Sequence, residues 1–172
     1  QNVANALGVP ERGEELIVEL QGRMDKIQAR ISQVKKRPRV ACIEWIDPLM
    51  AAGNWMPELV EKAGGKNIFG EAGIHSPWVA WKAFCDADPD LVLIMPCGFN
   101  MRESRRDMPV LTDRPEWSTL KAVRTNRVYL ADGNQYFNRP GPRLVESLEI
   151  LSELLHPELC AFGHESEGWE LF

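Results

Sequence analysis

Arg39-Val40-Ala41-Cys42-Ile43-Glu44-Trp45-Ile46-Asp47-Pro48 is the stretch that decides the fold class. Val40 to Trp45 is a short apolar run of the kind that forms a buried strand, and Asp47-Pro48 breaks it. Two more runs of this type follow, Leu91 to Met95, ended by Pro96-Cys97-Gly98, and Arg127 to Ala131. Helical segments separate them. Pro57 to Ala63 reads as a helix stopped by Gly64-Gly65, and Pro77 to Ala87 as a second with Ser76 as its N-cap. Glu116 to Ala122 is a short third, and Gly141-Pro142 opens a last helix that runs to about Leu155 and stops at His156-Pro157. Asn67 to Phe69 fits a short edge strand. Strands alternating with helices imply a mostly parallel sheet covered on both faces, a three-layer α/β/α lobe.

Upstream of this unit, residues 11 to 35 read as one long helix. Leu16, Leu20, Ile27, Ile31 and Val34 form a single apolar stripe, with Met24 close to it, so the helix lies on a surface. Pro10 and the acids Glu11, Glu14 and Glu15 suit its start, and Pro38 ends it. The chain thus divides into a connecting helix over residues 1–37, an α/β lobe over 38–158 and a tail over 159–172. The tail from Cys160 to Phe172 has no periodicity and is expected to be irregular and loosely attached. The first residue is Gln1 rather than Met, so further sequence upstream is expected.

A chain of 172 residues can bury a real core. Its 20 basic and 25 acidic side chains leave a net charge of -5, which gives no electrostatic reason to bind nucleic acid. No apolar run approaches the ~20 residues of a membrane span. Cys42, Cys85, Cys97 and Cys160 contain no CxxC pair and are read as free thiols.

Ligands of open parallel sheets bind beyond the carboxyl ends of the strands. Three segments here lie there: Asp47 to Trp55, Pro96 to Met101 and Asp132 to Arg139. All are rich in aromatic, amide and glycine residues. Trp55 is a candidate cleft wall, whereas Trp81 reads as helix core. Tyr136, Phe137 and Arg139 belong to a polar-aromatic loop, in which rings offer flat apolar contact and a guanidinium can donate to carbonyls or phosphate. The bland alternative is a helix-entry turn with surface amides.

Other combinations carry less. Cys97 stands at a strand end, but no recognised motif supplies the base that a nucleophilic thiol needs. His156, Cys160 and His164 are spaced for one helix face, yet Pro157 and Gly163 interrupt a helix there, so no metal site is expected. The glycines from Gly64 to Gly73 lack the Gly-Lys-Ser/Thr of a phosphate loop. Asp107, Asp113 and Glu116 read as solvated loop charges. No enzymatic activity is expected.

The run Glu44-Trp45-Ile46-Asp47-Pro48-Leu49, then Gly53-Asn54-Trp55-Met56-Pro57-Glu58-Leu59 and Ala63-Gly64-Gly65, resembles the C-terminal lobe of ABC-type solute-binding proteins of the cobalamin (vitamin B12) and iron-siderophore group. Ala87-Asp88-Pro89-Asp90, Met95 to Phe99, Trp117 to Arg124 and Tyr136 to Arg143 extend the likeness over about residues 1 to 158. The resemblance implies two α/β lobes joined by a rigid helix, with the ligand between them, an N-terminal lobe upstream and delivery to an ABC permease. It implies a periplasmic or cell-surface location, although four unpaired cysteines would also suit the cytoplasm. It aligns Arg139 with an arginine that lines the corrin cleft, so a cobalamin-like corrinoid is the expected ligand, with no covalent cofactor. Ferric siderophore or haem on the same fold is the alternative, followed by a stand-alone protein-interaction domain. The sequence departs from the pattern twice. Ser76 stands where B12-binding relatives have a tryptophan just ahead of the helix, with Trp78 two positions on, and Lys82 stands where an acid docks the permease, so that either another carboxylate such as Glu71 docks or no such permease is engaged. A lobe on its own would expose its partner-facing surface, so a homodimer is also expected.

Overall fold

A computed structural model describes residues 1–172. The central sheet contains β1 (Arg39–Trp45), β4 (Leu91–Ile94) and β5 (Val128–Ala131), paired in parallel in that order. The short β3 (Lys66–Asn67) also runs parallel to β1. Antiparallel strands close both sides: β2 (Met50–Ala51) on β1, and β6 (Trp169–Leu171) on β5. The apolar runs therefore do form the sheet, and their side chains alternate between two cores. Val40, Cys42, Leu91 and Leu93 face α2 (Pro10–Ile31), α3 (Met56–Lys62) and α8 (Leu144–Leu155). Ala41, Ile43, Val92 and Ile94 face the layer that contributes Phe84, Met108, Leu111, Trp117 and Leu120. Phe84 comes from α4 (Trp81–Ala87), Leu111 from α6 (Pro109–Thr112), and Leu120 immediately precedes α7 (Lys121–Arg124). Both faces are covered, which is the expected α/β/α arrangement.

Several local expectations need correction. The segment Pro77 to Ala80 is extended, because Pro77 O accepts from Ala51 N and Val79 N donates to Leu49 O, and the helix starts only at Trp81. Ser76 is no N-cap. Its Oγ donates to Glu44 Oε2 at 2.8 Å and accepts from Gly53 N at 3.1 Å, fastening the β2 loop to the end of β1. Residues 101–107 form a helix, α5 (Met101–Asp107), capped by a reciprocal Asn100/Glu103 box. The short α1 (Asn2–Ala6) folds back on α2.

The tail is the largest departure: it is strapped down and ends in strand β6. Two acids on α8 hold it. Glu153, 6% exposed, accepts from the backbone N–H groups of Phe162 and Gly163 and, at 2.8 Å, from Trp169 Nε1. Glu149, 7% exposed, takes both nitrogens of Arg23 Nη2 and Nε from the connecting helix and meets His164 Nε2 at 2.9 Å. Trp169 then packs edge-on to Tyr129 at 5.5 Å. Periodicity misses this segment because buried carboxylates, rather than an apolar stripe, dock it.

Candidate functional site

The carboxyl ends of β1, β4 and β5 converge on two neighbouring recesses. At the ends of β1 and β4, Trp45 and Phe99 meet edge to face with ring centroids 5.4 Å apart. Together with Pro96, Pro109 and Val110 they line an apolar recess of about 210 Å³. Asp47, Arg106 and Asp107 are its charged residues; the Arg106 guanidinium lies 5.9 Å from the Phe99 ring and pairs with Asp107 at 2.7 Å. That ion pair holds the Asp107 carboxyl below the usual carboxylate range. Trp45 Nε1 donates to Asp47 O at 3.0 Å, which fixes the indole across the Asp47-Pro48 turn.

At the end of β5, Asp132 caps a tight turn over Gly133–Phe137, its carboxylate accepting from Gln135 N at 2.8 Å and from Gln135 Nε2 at 3.1 Å. Asn138 Oδ1 accepts from Gly98 N at 2.8 Å and Asn134 N donates to Phe99 O at 3.1 Å, so this loop is laced to the one after β4. Gly133 makes the approach close, since a Cβ there would meet the backbone carbonyls of Pro96 and Met95. Beyond the turn, Asn134, Gln135, Arg139 and Arg143 line a polar recess of about 440 Å³. Arg143 donates to Gln135 Oε1 at 3.3 Å and lies 5.9 Å from the Tyr136 ring. Arg139 is exposed and makes no ion pair or side-chain hydrogen bond, and Arg102 in the first turn of α5 is likewise uncommitted.

The four side chains singled out from sequence divide unevenly. Arg139 lines an open recess beside the strand ends, as its position suggested. Trp55 and Tyr136 are half-buried against the core on the α2/α8 side. The Tyr136 ring sits 6.0 Å from that of His164, and burial pushes its phenol up. Trp55 Nε1 is buried without a hydrogen-bond partner, next to the start of α3. Phe137 must be corrected: it is 1% exposed and belongs to the core, where it anchors the loop from beneath and offers no ring face to a ligand. Trp45 and Phe99 supply the open aromatic wall instead. Sequence alone gave Trp45 to the strand, and its position as the last residue of β1 is the signal that turns it outward to the site.

Cys97 is exposed at this end of the sheet, but none of the histidines serves it: His75 bonds Ser76 O, His156 bonds Gly64 O and His164 bonds Glu149. Nothing here assembles a nucleophile and base.

This sheet order, with helix α2 packed on one face, defines a mostly parallel α/β lobe with a recess at its strand ends. The periplasmic binding protein family model matches residues 1–134, and the chain belongs to that family. It is 23% identical over 163 residues to the ABC transporter substrate-binding lipoprotein YvrC of Bacillus subtilis, covering 91% of this chain and 48% of that protein. Among solved structures, an ABC transporter substrate-binding protein from Listeria monocytogenes superposes with a TM-score of 0.78 at 20% identity, covering 91% of this chain and 61% of that one. A periplasmic haem-binding protein from Pseudomonas aeruginosa gives 0.75 at 23% identity, covering 92% and 58%. IsdE of S. aureus, solved with haem, gives 0.76 at 20% identity, covering 90% and 61%. The chain thus spans about half the length of the curated relative it matches, and the structural likenesses establish its fold.

Proposed function

We propose that this chain is one lobe of the solute-binding component of an ABC importer, and that it closes one side of a cleft on a planar tetrapyrrole, a haem or a cobalamin-like corrinoid. The observation that carries this is the juxtaposition at the strand ends of the Trp45–Phe99 recess with the unpaired guanidinium of Arg139. An aromatic-lined apolar recess beside a free cation suits a macrocycle that bears carboxylate, amide-carbonyl or phosphate groups at its edge. The haem-binding names of two of the solved relatives support haem within this class. The second lobe would cover the exposed apolar side chains of α1, the turn after it and the first half of α2, among them Val3, Leu7, Ile17 and Val18. We place the protein outside the cytoplasmic membrane, in keeping with the lipoprotein name of the Bacillus relative. No helix is long and apolar enough to cross a membrane.

Ferric siderophore is the second reading, and it draws on a specific feature: Arg102 and Arg139 are both uncommitted, which suits an anionic ferric chelate. For a permease, Lys82 is an obstacle softened by its own neighbour. Lys82 Nζ pairs with Asp86 at 2.6 Å, so this corner carries an acid after all, and Glu71 is exposed nearby in sequence.

Titration of the full-length protein with haemin and with cyanocobalamin, read in their visible bands, tests the proposal. Micromolar or tighter binding of one of them, weakened by about tenfold (~1.4 kcal/mol) in Arg139→Ala, is expected. Binding of neither, with binding of a ferric catecholate, would transfer the site to the siderophore reading. Binding of none would overturn the solute-binding role.

A further inference from the structure

The amino ends of the strands carry another recess, at the pole opposite the site described above. It encloses about 580 Å³ between the end of α2, the segment leading into β1, the α7–β5 turn and the end of α8. Its cations are Arg30, Lys35, Lys36, Lys121 and Arg127, against the acids Asp90 and Glu158. This is a local excess of positive charge in a chain whose net charge is -5. The segregation is written in the sequence. Residues 26–43 hold six Lys and Arg and no Asp or Glu, and residues 117–131 hold three and none.

Helix ends explain only part of this. The carbonyl end of α8 faces the groove, and Arg127 Nη2 donates to Leu154 O at 2.9 Å, which satisfies one of its terminal carbonyls and offsets its partial negative charge. Lys121 Nζ lies 2.6 Å from Asp90 Oδ1. These two are structural and hold the walls in place. The remaining three have no such account. The Arg30 guanidinium is laid over the Phe162 ring at 5.5 Å, which orients it without neutralising it. Lys35 and Lys36 are exposed and make no ion pair or hydrogen bond. These three cations without an ion-pair partner outnumber the one remaining acid of the recess, Glu158, and leave a net positive potential on its concave wall. Guanidinium and ammonium groups together match the oxygens of phosphate, Arg through its planar fork and Lys as a point charge.

We propose that this groove binds a phosphate-bearing polyanion, at a site separate from the solute cleft. The phosphates could come from a soluble polyphosphate or from phospholipid headgroups, and the two sources are separated by the probe. The full-length protein is titrated with inorganic tripolyphosphate by calorimetry, and is floated with phosphatidylcholine vesicles with and without phosphatidylglycerol. The variant pair Lys35→Glu/Lys36→Glu alters exposed, unpartnered side chains and leaves the packing intact, which circular dichroism verifies. Lys82→Gln, an exposed lysine on α4 away from this groove, is the control.

Tripolyphosphate binding that weakens by about tenfold or more in the Lys35/Lys36 variant, is unchanged in Lys82→Gln and falls as salt is added supports a soluble polyanion. Flotation only with phosphatidylglycerol, abolished by the same variant, supports the headgroup. Absence of both, or binding that is indifferent to the Lys35/Lys36 charge reversal, overturns the proposal.

Discussion

Glu153→Gln isolates what the α8 carboxylates do for the tail. The carboxylate has one oxygen over the successive N–H groups of Phe162 and Gly163, the latter at 2.6 Å, and the other on Trp169 Nε1 at 2.8 Å. A glutamine of the same length can satisfy one side only, because its NH₂ must then face a donor on the other. Hydrogen bonds to a charged acceptor contribute ~1.5–3 kcal/mol each, and a stranded donor adds its own penalty. The charge-assisted bonds to one side are lost and the other side is weakened, so a net loss of ~2–4 kcal/mol is expected. For a chain of this size that lowers Tm by roughly 5–15 °C. The loss should also be local. β6 covers the open edge of β5 only while the strap is docked, so amide exchange at Trp169 to Leu171 should accelerate well before that of Leu91 to Ile94. Thermal unfolding followed by tryptophan fluorescence, together with hydrogen exchange, measures both. Glu71→Gln, at an exposed acid, should stay within ~0.5 kcal/mol. A Glu153→Gln protein with unchanged Tm and unchanged protection in the tail would refute the clamp.

Further expectations concern thiols, acid stability and the loop glycine. Burial pushes the Cys42 thiol up to about 12, while Cys97 is exposed, so an aromatic disulfide reagent at about pH 8 should label Cys97 quickly and Cys42 only on unfolding; equal rates would contradict the packing. Burial raises the Asp90 carboxyl, but the Arg39 N–H at 2.8 Å and the Lys121 ammonium outweigh it and hold its pKa below the ordinary value. Its contribution is therefore present above the unfolded-state value of ~3.9 and is lost as pH falls through the lower folded value. Asp90→Asn should flatten the fall in urea midpoint from neutral pH to about pH 3, and an unchanged profile would remove Asp90 from that role. Gly133→Ala places a Cβ against the carbonyls of Pro96 and Met95, so it should cost ~1–3 kcal/mol by urea unfolding and loosen the loop that bears Arg139; a neutral effect would show that the β4 and β5 loops are not locked together.

The fold was legible where burial speaks through hydrophobicity. Val40 to Trp45, Leu91 to Met95 and the last helix all announce themselves by apolar runs or stripes, and their order implies the parallel sheet. Segments held by polar contacts were not legible. Pro77 to Ala80 looks helical by composition but is drawn out along Leu49–Ala51 by backbone hydrogen bonds, and the tail is docked by carboxylates whose partners are mostly backbone N–H groups. The capping box at Asn100 and Glu103 was readable in principle, because its Asn-x-x-Glu spacing stands in the sequence. The strand-end rule singled out three loops as candidates, and Arg139 in one of them faces open space. The choice among aromatic residues was harder. Aromatic residues at three different strand ends turn to different sides, so Phe137 goes to the core while Phe99 and the last residue of β1, Trp45, form the open wall. Only the third dimension separates them.

The most direct test is a hydrogen-exchange footprint of the full-length protein with and without saturating haemin, repeated with cyanocobalamin and with a ferric catecholate. Whichever ligand binds is expected to protect the strand-end loops, residues 96–101 and 132–139 above all, and to leave Lys35 to Arg39 unchanged. Protection confined to other surfaces, with these loops unaffected, would contradict it.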